Sequence, residues 1–226
     1  AYMIASYAIT NRHRLTPFEL PTKTLRMLKV MMTAREKYVK MSVQVQNSLK
    51  SNQILLDTLD VKQLIREEKK HIKYLQSLIE NLEKQMIELI RSNPQLNQSY
   101  QKITCIVGVG PITAIKCITE TNNFNKFTDG RKFNCYCGLA PFPYQSGSSV
   151  KGKSRTHFLR NKGMKAILFK AASTAIQHDP QLKMYYARKC AEGKHKLSVL
   201  NAVASKLVLR IFAVAKRDQP FVRLAA

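Results

Sequence analysis

Apolar residues recur at helical spacing along most of this chain. The clearest run lies between Val61 and Ile90, where Ile65, Ile72, Ile79 and Met86 repeat every seven residues. Leu75, Leu82 and Leu89 form a second seven-residue series in the a-to-d relation to the first, and Glu68 interrupts that series at its first place. Glu80 and Lys84 are spaced for an i,i+4 pair on the flank, and Ser92-Asn93-Pro94 ends the pattern. Upstream, Thr22 can cap a helix in which Leu25, Leu28, Met32 and Val39 fall near helical spacing, continuing through Val43 and Leu49. Residues 22–92 therefore read as an antiparallel helical hairpin or as a dimerising coiled coil, and the pattern alone does not choose. The first twenty residues read as a short apolar helix and a loop near Pro17 and Pro21.

Beyond Leu96 the pattern shifts. Two apolar helical segments flank Gly108-Val109-Gly110-Pro111, which resembles a helix-hairpin-helix element. Glycines there permit a tight turn, and backbone N–H groups at the next helix start can face a phosphate. No third glycine makes a dinucleotide fingerprint, and a structural turn between helices is the alternative. Asp129-Gly130 reads as a turn, Phe133–Leu139 as an apolar segment, and Pro141 and Pro143 as an extended path. Met164, Ile167, Leu168, Ala171, Ala172, Ala175 and Ile176 stripe a further helix. Asp179-Pro180 opens the next, Gly193 closes it, and a last helix carries Leu197, Leu200, Ala204, Leu207 and Ile211. Strand signals are few. The fold class is mainly α: a helical hairpin or coiled coil over 22–95, then a helical domain over 96–226.

Charge changes the picture. Lys and Arg number 38 against 14 Asp and Glu, a formal net charge of +24. From Thr121 onward there are 20 basic and 4 acidic residues, so +16 of the excess sits in the last 106 positions. A field of that sign selects a polyanion, because neutralising phosphates releases condensed counterions. The five cysteines form no zinc-like pair of CxxC units and are expected as reduced thiols. An anionic membrane surface is the rival target of this charge, and no membrane partner is expected over nucleic acid; no run of about 20 apolar residues is evident, so nothing is expected to span a membrane.

Residues 143–163, "PYQSGSSVKGKSRTHFLRNKG", concentrate this chemistry: four serines, three glycines and no carboxylate. A hydroxyl attacking a phosphodiester needs deprotonation, in-line placement and positive charge on the non-bridging oxygens. Lys151, Lys153, Arg155 and Arg160 supply the third. Ser146, Ser148, Ser149 and Ser154 are all eligible, and spacing does not select one. The hydroxyls and cations could equally grip phosphate without chemistry. His157 is a candidate phosphate donor or base, and Tyr136, Tyr144, Tyr185 and Tyr186 include candidate base-stacking groups or an alternative nucleophile.

The order "IVGVGPITA", "CGLAPFPYQSGSSVKGKSR", "NKGMKAILFKAA", "GKHKLSVLNAVASKL" resembles the C-terminal domain of the insertion-sequence 110, 116 and 902 transposases, over about Ile103 to Phe221. "AYMIASYA" resembles the helix after the last acidic residue of their RuvC-like nuclease domain, so the resemblance implies that 1–21 is the end of that domain. It implies that Ser146, in "QSG" with Gly147 following, is the recombinase nucleophile, acting through a phosphoserine link as in serine recombinases. It further implies nucleic-acid contacts at Gly108, Gly110, Gly147, Lys151, Lys153, Arg155, Arg160, Asn161 and Lys165. The position of Lys165 departs from the family's Arg, replacing a bidentate fork by a point charge. The implied partners are donor and target DNA and a bridge-type non-coding RNA, with a dimer or tetramer through the coiled coil, in a bacterial or archaeal cytosol.

The family's four metal-holding carboxylates fall before this chain begins, and Glu19 and Glu36 stand isolated. The resemblance therefore implies no cofactor for these residues themselves, Mg²⁺ for the parent protein, and an inactive fragment alone. The alternative is a non-catalytic helix-hairpin-helix module that only grips nucleic acid.

Overall fold

The computed structural model describes residues 1–15, 20–146, 149–217 and 221. Among these it has nine α-helices, two short 3-10 turns and one two-stranded sheet, so the chain is mainly α as its pattern predicts. The first helix, α1 (Tyr2–Thr10), buries none of its residues. The two longest, α2 (Lys23–Ile54) and α3 (Lys62–Arg91), form an arm that folds back on itself within one chain.

The arm is antiparallel: Arg35 Nε of α2 meets Glu83 Oε1 of α3 at 2.6 Å, while Ser48 and Asn52 meet Glu68 near the turn. The seven-residue stripe is the face turned inward. Ile65, Leu75, Met86 and Ile90 are buried, and Ile72, Ile79, Leu82 and Leu89 are half-buried. Glu68 breaks the stripe because α2 presents donors there instead of methyl groups. Its Oε1 accepts from Ser48 Oγ at 2.6 Å and from Asn52 Nδ2 at 2.9 Å. Thr22 caps α2 as its position predicts, accepting from the Leu25 N–H at 3.4 Å.

The remaining helices, α4 (Pro94–Thr104), α5 (Pro111–Thr121), α6 (Gly130–Cys137), α7 (Lys162–His178), α8 (Pro180–Ala191) and α9 (Lys196–Lys216), pack into a base. Short polar side chains open four of them. Asn93, Asp129, Asn161 and Asp179 each accept from the N–H three residues on, at 2.9–3.1 Å, satisfying a donor that the first turn leaves free. Asp129-Gly130 is thus a helix start and not the turn its sequence suggests. Asp129 also shows why such a cap is acidic: the Lys132 and Arg131 N–H groups hold its carboxyl below the usual carboxylate range.

One core joins arm and base. Leu28, Met32, Met86 and Ile90 of the arm pack with Ile103, Ile115, Phe133, Leu168 and Leu207 of the base. Helix α9 runs through that core, burying Val203, Leu207, Val208 and Ile211 among α4, α6, α7 and α8. By length and composition alone it could cross a bilayer, contrary to the expectation that no such run exists. Its apolar face is instead the centre of the base. Cys117 and Cys137 sit in the same interior, and burial pushes both thiols up, Cys117 to about 12.

Candidate nucleic-acid interface

Between α6 and α7 the chain leaves the base as a hairpin of β1 (Phe142–Ser146) and β2 (Val150–Arg155). Sequence alternation gives little warning of it, because "FPYQS" and "VKGKSR" show no regular alternation of apolar and polar residues. All five β1 residues are exposed, and the register shifts between Phe142 and Tyr144, beside Pro143, which has no N–H to give the ladder. Ser146 is the last residue of β1, opposite Val150, and is exposed. Its hydroxyl is therefore open to a macromolecular substrate. Ser149 and Ser154 are exposed as well, so exposure alone does not single out Ser146. Arg155 pairs with Phe142 across the hairpin and is exposed. Gly147, Ser148 and Glu19 lie outside the described residues, as do the side chains of Lys151 and Lys153 on β2.

Where the hairpin returns to the base, Asn161 fastens it. Its Oδ1 caps α7, its backbone N–H donates to the Tyr136 carbonyl at 2.8 Å, and its Nδ2 donates to the Tyr136 hydroxyl at 2.9 Å. Tyr136 in turn donates to Glu120 Oε2 at 2.5 Å. Glu120 pairs with Lys116 at 3.2 Å, and Lys116 reaches Glu36 of α2 at 2.7 Å. A polar chain thus runs from the hairpin's exit through α6 and α5 into the arm. Burial raises the Tyr136 hydroxyl to about 12, with the hydrogen bond to Glu120 adding to it. Burial also pushes the Glu120 carboxyl up, but the Tyr136 hydroxyl, Lys116 and Lys29 outweigh it and hold it below its ordinary value.

Two more residues singled out from sequence face this anchorage. Lys165 Nζ donates to the Gly138 carbonyl at 2.9 Å and lies 5.3 Å from the Phe169 ring, and burial with the nearby Arg160 charge lowers its pKa. Arg160 folds over Gly138 and donates to the His157 carbonyl at 3.3 Å. Asn161 and Lys165 hold the hairpin's root with the very atoms expected to reach phosphate. The sequence missed Tyr136, Glu120 and Lys116 as a set, since their spacings of 16 and four residues cross a loop and a helix.

The second cationic region is the turn between α4 and α5. Gly108 has φ +90°, and a Cβ there would lie 2.5 Å from the Ala171 carbonyl oxygen and 2.8 Å from the Ala175 Cβ of α7. The turn is pressed onto α7 where only glycine fits. Gly110 is different: it precedes α5 with open space around it. Thr104, Gly108, Gly110, Thr113, Lys170 and Thr174 line a cleft of about 460 Å³ at this helix start. Backbone N–H groups, the Thr113 hydroxyl and Lys170 there suit a phosphate, whereas the Thr104 and Thr174 hydroxyls donate to the Tyr100 and Lys170 carbonyls. Helix α7 carries both regions, since Asn161 and Lys170 are about 14 Å apart along it.

Among the described residues no three His, Cys, Asp or Glu side chains come together to hold a metal ion. Glu36 is instead the ion-pair partner of Lys116. These residues do not fit the Mg²⁺ that the family implies, and no chemical step is assigned to it.

Residues 100–187 match the family Transposase IS116/IS110/IS902. The chain is 27% identical over 152 residues to the pilin gene-inverting protein of Moraxella bovis, covering 67% of this chain and 47% of that protein. It is 31% identical over 121 residues to the insertion element IS110 uncharacterized 43.6 kDa protein of Streptomyces coelicolor, covering 53% and 29%. A probable family 20 transposase of Pseudomonas aeruginosa matches at 27% over 89 residues, 39% of this chain and 25% of that protein. The chain thus spans about half the length, or less, of these relatives.

Proposed function

We propose that this chain is the DNA-contacting, serine-bearing part of a transposase that cuts and rejoins strands, with Ser146 as nucleophile. One observation carries the reading: Ser146 stands exposed at the end of β1, in a segment of 21 residues without a carboxylate, within the residues 100–187 that match the transposase family. Oγ attacks the phosphorus, a Ser–O–P bond forms, and the bond to one deoxyribose oxygen breaks with its electron pair. Water takes the serine proton and returns one to the departing oxygen. A sugar hydroxyl of the second strand then attacks the phosphoserine, restoring Ser146 and a phosphodiester. The ester energy is kept in the covalent link, so no nucleotide is consumed. Arg155, Lys151 and Lys153 neutralise the non-bridging oxygens, and the Gly108–Gly110 cleft holds a second phosphate further along the strand.

The whole protein's partners follow from the same reading: paired DNA sites, a bridge-type RNA, Mg²⁺ held by a RuvC-like domain, and self-association. The test uses the full-length parent with its RNA and both DNA sites. Ser146→Ala is expected to abolish recombination and the covalent protein–DNA adduct while DNA binding persists. Unchanged recombination in that variant refutes the nucleophile and leaves a grip without chemistry.

A further inference from the structure

The hairpin exposes rings that a folding chain normally hides. Tyr144 and Gly152 are cross-strand partners, and a Cβ on Gly152 would sit 2.6 Å from Tyr144 Cδ1. The glycine leaves room for the ring to lie against β2, yet Tyr144 remains 68% exposed. Phe142 on the same strand is 46% exposed, and Phe158 is 76% exposed while stacking on His157 at 4.6 Å. These groups, with Pro143, Arg155 and Thr156, line a cleft of about 720 Å³.

Such a cleft lacks the convergent buried polar groups that fix a small metabolite. It combines ring faces with a cation, and the surrounding segment from 143 to 163 has no acid. Ring faces take the π-face of any base, and guanidinium takes its phosphate. A base inside a duplex cannot offer its face, so the occupant must be unpaired. Tyr144 and Ser146 lie two residues apart where the ladder is regular, paired with Gly152 and Val150, so they share one face of β1 about 7 Å apart along the strand. That spacing places a stacked base beside the phosphate in front of the serine.

We propose that this aromatic cleft stacks unpaired bases of the DNA strand adjacent to the phosphate that Ser146 attacks. The proposal rests on the reading of Ser146 given above. It makes locally opened DNA the substrate of the hairpin.

The test measures binding of the 226-residue chain to a short single-stranded deoxyoligonucleotide carrying 2-aminopurine, its duplex, and the RNA of the same sequence. Single-stranded DNA is expected to bind most tightly, with 2-aminopurine emission quenched. Phe158→Ala and Tyr144→Ala should each weaken it about tenfold and restore emission, with duplex affinity unchanged. Tyr144→Phe keeps a ring and should keep affinity, which separates stacking from misfolding. Unquenched emission, equal binding of duplex, or indifference to both alanine variants overturns the proposal. Tighter binding of the RNA overturns the assignment to DNA. Ser146→Ala should leave quenching intact, so a failed nucleophile is read in recombination and a failed cleft in emission.

Discussion

The two cationic regions are built on opposite principles. The Gly108–Gly110 turn is pressed into α7, where a single added methyl group collides with backbone at 2.5 Å. The β-hairpin touches the base at its root and leaves every β1 residue in solvent. A grip on phosphate tolerates, and gains from, a rigid mount. A nucleophile that must reach a phosphate on a large partner needs reach and clearance. Under the proposed function, stability and chemistry are separated along one helix, and substitutions should report on one or the other.

Gly108→Ala should break the first region outright. The clash and the positive φ together are expected to cost about 3–5 kcal/mol, lowering the thermal unfolding midpoint by about 10 °C. A variant as stable as the parent would mean that the turn is not mounted on α7.

Asn161→Ala sits on the border between the two. Losing the cap and the Tyr136 hydrogen bond should cost about 1–2 kcal/mol in denaturant titration, and recombination should fall as well because the hairpin's root is loosened. A loss of stability with full recombination would uncouple root from hairpin.

Glu120 gives a gentler, pH-dependent probe. Its carboxyl is held below the ordinary value in the folded chain, so its contribution is present above the unfolded carboxylate pKa of about 4.3 and fades as pH falls through the lower folded value. The stability gap between the parent and Glu120→Gln should therefore shrink as denaturation is measured from about pH 6 downward. A gap that widens toward acid reverses the sign argued here.

The smallest effect belongs to the hairpin. Ser146→Ala and Tyr144→Ala should each move stability by no more than about 0.5 kcal/mol, since both side chains are exposed. A large loss there would place the hairpin inside the core's accounting after all.

The arm was legible from its sequence because a seven-residue repeat survives any tertiary context. The hairpin was not singled out, since the same stripe could serve a dimer as well; the contacts of Arg35 with Glu83 and of Ser48 with Glu68 show α2 and α3 paired within one chain. Caps at Thr22 and Asp179 were readable from local chemistry, whereas Asp129 was misread because Asp-Gly suits a turn and a helix start equally. The hairpin escaped notice for want of alternation. Ser146 came from resemblance, and composition offered three rivals. Asn161 and Lys165 were assigned to nucleic acid, yet their polar atoms bond within the protein, which no linear spacing reveals.

Glu68 has one further consequence. Sliding α3 past α2 by one repeat would keep methyl groups against methyl groups but carry the carboxylate away from Ser48 and Asn52. That acid works as an index pin which, with the Arg35–Glu83 pair, fixes the arm's register, and the 30 residues of α3 run about 45 Å from their buried end at the base to the arm's tip. The length of the arm is thus indexed by polar side chains along its seam as well as by the fit of methyl groups.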